Sequence, residues 1–179
     1  MFVAGAGNSA GQAAMFLSGF AQKVFLVVRS GDLTKSMSSY LSTRVVAKDN
    51  IEVLHFTEIR KVSGNGRLES VEIENTATGE RRTHPAAAVF SMIGAKPCTS
   101  WLPPEILMDE KGFIKTGAAV AETPAWQDAG RPPYPFEASR PGIFAAGDVR
   151  SGSVKRCSAA VGEGSMAVEN VHQMLGTYS

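Results

Sequence analysis

Cysteine is nearly absent from this chain: Cys98 and Cys157 are the only two thiols among 179 residues. They stand 59 positions apart, so neither a thiolate zinc site nor a CxxC redox pair can be written from them, and a disulfide-stapled scaffold is disfavoured. An excess of either charge is also missing. With 18 basic and 17 acidic side chains the net charge is +1, which argues against a polybasic nucleic-acid surface or an acidic tail. A hydrophobic fraction of 44% excludes a disordered chain. No apolar run reaches the roughly 18 to 20 residues of a membrane span, and the first residues lack a basic stretch with a cleavage pattern. The expectation is a soluble, cytoplasmic protein with no nucleic-acid or membrane partner. Its length suits one ordinary domain or two small ones.

What is present begins at once. Phe2 to Ala4 are apolar, Gly5-Ala6-Gly7-Asn8-Ser9-Ala10 follows, and Ala13, Ala14, Leu17 and Phe20 to Ala21 then recur at helical spacing. This is GxGxxA between a strand and a helix. Gly5 permits the tight turn, Gly7 lets backbone approach a pyrophosphate, and Ala10 allows close helix-strand contact, while free amides at the helix start face the anion. Lys23 to Val28 reads as a second strand, apolar throughout from Val24, as a parallel strand covered on both faces should be.

Where an NAD site places a carboxylate for the ribose hydroxyl, Val28 and Arg29 stand 23 and 24 residues after Gly5. An aliphatic chain beside a guanidinium suits a 2'-phosphate, which favours NADPH over NADH. Lys35 adds a second positive charge and Ser30 a hydrogen-bond donor. The plainer reading of Arg29 is a solvated residue at a strand end. Asp32 reads as a turn or cap residue.

Ser36 to Ala47 forms an amphipathic helix through Met37, Tyr40, Leu41 and Val45, capped by Asp32 or Thr34, and Ile51 to Phe56 a third strand. Gly64-Asn65-Gly66 and Thr76-Ala77-Thr78-Gly79 separate Glu58 to Val62, Leu68 to Glu74 and Arg81 to His84 into a β-meander. Val89 to Ile93 closes the domain. Beyond the turn at Gly94-Ala95-Lys96-Pro97, five of the nine prolines fall between Thr116 and Gly142, which predicts a surface excursion outside the core. Gly142 to Asp148 reads as a short buried strand ending in Gly147-Asp148, with a helix starting near Arg156 to Ala159. A carboxylate there suits a sugar or ribityl hydroxyl, and an ordinary turn explains the pair equally well. Gly162, Gly164 and Ala167 make the last helix thin on one side, suited to a backbone, a flat ligand or another helix.

Four separated motifs, Gly5 to Ala14, Met92 to Pro97, Lys111 to Thr116 and Ile143 to Val149, together resemble the thioredoxin reductase family of FAD-dependent pyridine nucleotide-disulfide oxidoreductases. The run Gly147 to Arg156, continuing through Val161-Gly162-Glu163-Gly164-Ser165, is similar to a bacterial branch often fused to a cyclic-nucleotide-binding domain. The resemblance implies an α/β fold: a Rossmann-like NAD(P)-binding domain with a β-meander over residues 1 to 94, then the C-terminal part of an FAD-binding domain over 95 to 179. That is the two-dinucleotide-binding-domain flavoprotein type, with a hinge near Ile93 to Lys96.

By the same resemblance Gly5, Gly7, Asn8, Ser9 and Ala10 hold the NADPH pyrophosphate and Arg29, with Ser30 and Lys35 near it, the 2'-phosphate. Ser30 and Thr34 replace further arginines of the family motif. Gly94 counts among the cofactor-binding positions, and Gly147, Asp148, Arg156, Cys157 and Ser158 fall to the flavin side, the last three at a helix start whose dipole stabilises negative charge on the reduced ring. His55, His84 and His172 match no family catalytic position, and both cysteines read as buried or packing thiols. No catalytic acid or base and no metal site is expected.

The implied activity passes reducing equivalents from NADPH through FAD to a disulfide such as that of thioredoxin, in a homodimer. The family's own FAD GxGxxG and CxxC have no counterpart here. The first strand has about four residues before Gly5, where five to six are common. The expectation is therefore a C-terminal piece of a longer protein, inactive by itself. Two other readings stay open: an NADPH-sensing regulatory module, and a ferredoxin-NADP reductase-like or monooxygenase-like flavoprotein without a dithiol.

Overall fold

The computed structural model describes residues 1–177. It resolves into two compact units that meet in sequence at Gly94 and Ala95. The first opens with strand β1 (Phe2–Ala4), helix α1 (Asn8–Leu17), strand β2 (Val24–Val27), helix α2 (Ser39–Val46) and strand β3 (Ile51–Leu54). The antiparallel strands β4 (Thr57–Ser63), β5 (Ser70–Asn75) and β6 (Arg81–Pro85) follow, and β7 (Val89–Ser91) returns to the first sheet.

That sheet is parallel throughout and ordered β3-β2-β1-β7. Strands β2 and β3 lie to one side of β1 and β7 to the other, so the chain reverses its direction of winding at β1. A crevice therefore opens beyond the carboxyl ends of β1 and β7, where α/β sheets bind ligands. Each crossover helix buries a face on the sheet. Ala10, Ala14 and Leu17 of α1 and Leu41 and Val45 of α2 join Val3, Val24, Leu26, Val28 and Met37 in one core. Burying each larger side chain contributes about 1.5 to 3 kcal/mol. Phe2 and Val27 point to the opposite face, where Val71 and Ile73 of the meander cover them.

Several elements are shorter than their sequence patterns. Helix α1 stops at Leu17, so Phe20 leaves the apolar face and stands exposed beside Phe16, their rings 5.1 Å apart. Tyr40 also lies outside the core, held by a hydrogen bond from Arg44. The cap expected from Asp32 or Thr34 does not form: α2 starts later, with Ser38 in the N-cap position making no side-chain cap bond, and Asp32 instead closes a turn through the Thr34 amide and hydroxyl.

The second unit corrects two expectations. The proline-rich stretch supplies core: Val120, Trp126, Phe136, Glu137, Ala138 and Ser139 are all buried. Its prolines bend the chain around a Glu137 carboxylate that accepts two hydrogen bonds from Arg131 (2.8 and 2.9 Å) and one each from the Tyr134 and Gly142 amides. Burial pushes this carboxyl upward, yet those four donors outweigh it and hold it below its usual range. The strand expected over Gly142 to Asp148 does not form. Phe144 makes an isolated bridge to Glu137, and Gly147–Val149 closes as a 3-10 turn instead. Helix α3 (Pro124–Gln127) is a single turn, and α4 (Cys157–Thr177) ends the unit. No helix among the described residues is long and apolar enough to cross a membrane.

Candidate functional site

The glycine loop sits at the mouth of the crevice. Gly5 has φ +141°, and a Cβ there would lie 2.3 Å from the Met92 carbonyl oxygen, so the chain leaves β1 by a path that excludes any side chain. Gly7 is the N-cap of α1 and supplies no side-chain hydrogen bond, which leaves the first-turn amides of Asn8, Ser9 and Ala10 without a capping group. The first turn also carries no acidic residue. An uncapped, uncharged helix start of this kind presents N–H groups and the positive end of the dipole to an anion. Ala10 is fully buried under the loop, where its Cβ would stand 3.2 Å from one added at Gly5. These features fit a dinucleotide pyrophosphate.

Arg29 is exposed just past the end of β2, after the buried Val28. Lys35 is exposed as well, and the nearby Asp32 carboxylate forms no ion pair with it. The Thr34 hydroxyl and then its amide hold the Asp32 carboxyl below the usual range. The Ser30 hydroxyl donates to the Asp32 carbonyl at 3.0 Å, so it reaches a phosphate only by giving up that bond. Of the three residues expected around a 2'-phosphate, Arg29 and Lys35 keep cationic heads outside any hydrogen bond or ion pair among the described residues, whereas the Ser30 hydroxyl is committed.

In the second unit Gly147 adopts φ +74° and lies under α4, where an added Cβ would come 3.2 Å from that of Ala160. A feature the sequence did not signal fixes this turn. Glu163 of α4 accepts from the Gly147 amide (2.7 Å) and from Arg150 Nε and Nη2 (2.9 and 2.6 Å). The Arg150 bonds, followed by the Gly147 amide, lower the Glu163 pKa to about 2. Ser151 reaches Asp109 at 2.7 Å, and Ile114 bonds Val149 and Ser151 through backbone, so residues 147 to 151 are latched from two sides. Asp148 is left exposed at the tip.

Arg156, Cys157 and Ser158 are exposed at the start of α4. Both cysteines are exposed, against the expectation of packing thiols; Cys157 begins the helix and Cys98 lies in an irregular stretch. Gly162 and Gly164 meet no neighbouring atom within 4 Å, so in this chain the thin side of α4 packs on no backbone. Gly94 is exposed at φ +90° with open space around its Cα. His84 lies against the Phe2 and Phe25 rings, His55 approaches the Ser30 carbonyl at 3.3 Å, and His172 is exposed on α4. No three His, Cys, Asp or Glu side chains gather into a cation site among the described residues.

The chain is similar to known proteins over nearly its whole length. The profile of the family described as "Pyridine nucleotide-disulphide oxidoreductase" matches residues 1–164. A thioredoxin reductase of Chlamydia pneumoniae is 32% identical over 176 residues, covering 98% of this chain and 51% of that protein. Thioredoxin reductase 1 of Saccharomyces cerevisiae is 31% identical, covering 97% and 49%. Among solved structures, the thioredoxin reductase of Streptococcus pyogenes superposes with a TM-score of 0.65 at 30% identity, over 98% of this chain and 52% of that one. The chain spans about half the length of the curated relatives it matches.

Proposed function

Since the chain belongs to the pyridine nucleotide-disulphide oxidoreductase family, we propose that it carries the NADPH-binding domain, residues 1 to 94, and the C-terminal part of the FAD-binding domain of a thioredoxin reductase-like flavoprotein. The observation that carries this reading is the uncapped start of α1 beside the exposed Arg29, both at the carboxyl edge of a parallel sheet at its switch point. When bound, NADPH supplies a hydride and FAD relays two electrons to a disulfide.

The chain's own residues position and polarise. The Asn8, Ser9 and Ala10 amides would hold the pyrophosphate, with Gly5 and Gly7 keeping side chains out of the way. Arg29 would pair with the 2'-phosphate. The Glu163-braced turn would offer Asp148 to ribityl hydroxyls, and the α4 start at Arg156, Cys157 and Ser158 would lend its positive end to the flavin ring. Gly94, exposed and in the left-handed region, supports a hinge at Ile93 to Lys96. The thioredoxin reductases among its relatives support a thioredoxin disulfide as the acceptor of the whole protein; a homodimeric assembly and a cytoplasmic setting are part of the same proposal.

Titration of the purified chain with NADPH and NADH tests the reading. NADPH should bind more tightly, and Arg29→Ala should reduce that preference by about 10- to 100-fold, the worth of a charged hydrogen bond of 1.5 to 3 kcal/mol. Equal affinities in the wild-type chain would refute the role of Arg29, and no binding of either nucleotide would refute the site.

A further inference from the structure

The glycine loop and the segment that follows β2 are fastened to each other by side chains, and the fastening runs through Asn8. Asn8 Oδ1 accepts the Ser38 amide at 2.8 Å, and Ser36 Oγ donates to the Ala6 carbonyl at 3.0 Å. Each bond spans 30 residues of sequence. Beneath them Met37 and Leu41 pack on Gly11, where an added Cβ would approach Met37 Sδ to 2.7 Å and Leu41 Cδ2 to 2.8 Å. The other end of the segment is wound on itself: Ser30 donates to the Asp32 carbonyl, Asp32 accepts from Thr34, and the Ser36 and Met37 amides donate to the Leu33 carbonyl. Residues 30 to 38 thus form one stiff piece whose tie to the glycine loop is made by Asn8 and Ser36.

The residue type at this position is informative. Asn8 is the first residue of α1, so it flanks the place where a diphosphate would sit. The Ser38 amide finds its acceptor there in Asn8. A carboxylate would accept equally well but would set a like charge beside the anion, whereas the amide oxygen of asparagine accepts without charge.

We propose that Asn8 is a positioning residue for nucleotide specificity: by accepting the Ser38 amide it fixes the segment that follows Arg29 and carries Lys35 against the amides of the glycine loop. Discrimination between phosphorylated and unphosphorylated nicotinamide dinucleotides then depends on a residue that does not itself touch the discriminating phosphate. This rests on the reading of the crevice as an NADPH site.

The test uses the full chain and three variants, Asn8→Ala, Asn8→Asp and Ser36→Ala, each titrated with NADPH and NADH. In parallel, exchange of the Ser38 amide is followed without nucleotide. Asn8→Ala should speed Ser38 exchange and cut the NADPH/NADH affinity ratio by about fivefold, the worth of one neutral hydrogen bond. Asn8→Asp restores the acceptor, so it should keep Ser38 protected and preserve the ratio while weakening both nucleotides together. Ser36→Ala should lower the ratio in the same direction as Asn8→Ala.

If Asn8→Ala weakens both nucleotides equally, or leaves the ratio intact, the proposal is overturned. The same holds if Asn8→Asp loses the ratio while Ser38 stays protected. Wild-type chain that binds both nucleotides equally would remove this inference and leave the dinucleotide site standing. Wild-type chain that binds neither would remove the site as well.

Discussion

Removing the charge of Glu163 should destabilise the second unit, and only where that carboxyl would have been ionised. In the folded chain its two oxygens accept three N–H groups, from Gly147 and Arg150, and its side chain is 13% exposed. Its pKa falls from 4.5 to about 2. A shift of that size corresponds to about 3 kcal/mol at 1.36 kcal/mol per unit, and partial solvent screening of Arg150 trims it to roughly 2 to 3 kcal/mol.

The sign follows from the direction of the shift. A carboxyl whose folded pKa lies below its unfolded one stabilises fully above about pH 4.5, and that contribution fades as the pH falls towards about 2. Glu163→Gln cannot ionise, so it lacks this part of the curve. Urea unfolding followed by tryptophan fluorescence from about pH 7 to about pH 2 reads the difference. Both tryptophans, Trp101 and Trp126, lie beyond residue 94, and Trp126 is 3% exposed, so its emission reports the unit in question. The gap between wild type and variant should be about 2 to 3 kcal/mol near neutrality and should close on acidification. A gap that stays constant across the range would refute the claim that ionised Glu163 holds the Gly147 turn.

Two further substitutions test other parts of the structure. Gly5→Ala places a methyl group 2.3 Å from the Met92 carbonyl oxygen at a backbone angle that alanine avoids; it should lower stability by about 3 kcal/mol or more, read by thermal unfolding, and a stable Gly5→Ala chain would sink the close-approach argument. Glu137→Ala leaves Arg131 without its bidentate partner in a site where Glu137 is 0% exposed, at a cost of about 3 to 5 kcal/mol. Replacing both partners by apolar residues should recover only part of that loss in the same urea assay, because the Tyr134 and Gly142 amides still lack their acceptor.

The first unit was legible because its signals are local and periodic. A glycine run between two apolar stretches, a second apolar run, and two turn clusters spaced for hairpins each follow from backbone rules acting over a few residues, and the observed order of strands repeats them. What those rules did not reach were the ends. Phe20 and Tyr40 carry the helical period past the point where the sheet stops covering it, since apolar periodicity records a face but not the length of its partner. The same limit hid the clasp: Asn8 and Ser38 lie 30 residues apart, and no local pattern links an asparagine in a glycine loop to an amide before the next helix.

The second unit departs more because it has little regular structure to read. Its core is small, built on Ile106, Ile114, Ala138 and Ala145, and charged groups organise the loops around it. Proline density between residues 116 and 142 suggested a solvent-facing excursion, yet Glu137 satisfies four donors and Arg131 stacks near the Trp126 and Tyr134 rings at 5.0 and 4.7 Å. Proline stiffens such a stretch without saying which way it faces; a buried carboxylate that collects donors turned it inward. Glu163 does the same for the Gly147 turn. In both places a glutamate adds side-chain acceptors to a few isolated backbone bridges, Glu137 with Phe144 and Ile114 with Arg150, which are too short to carry the alternating or continuous apolar run by which a strand is read.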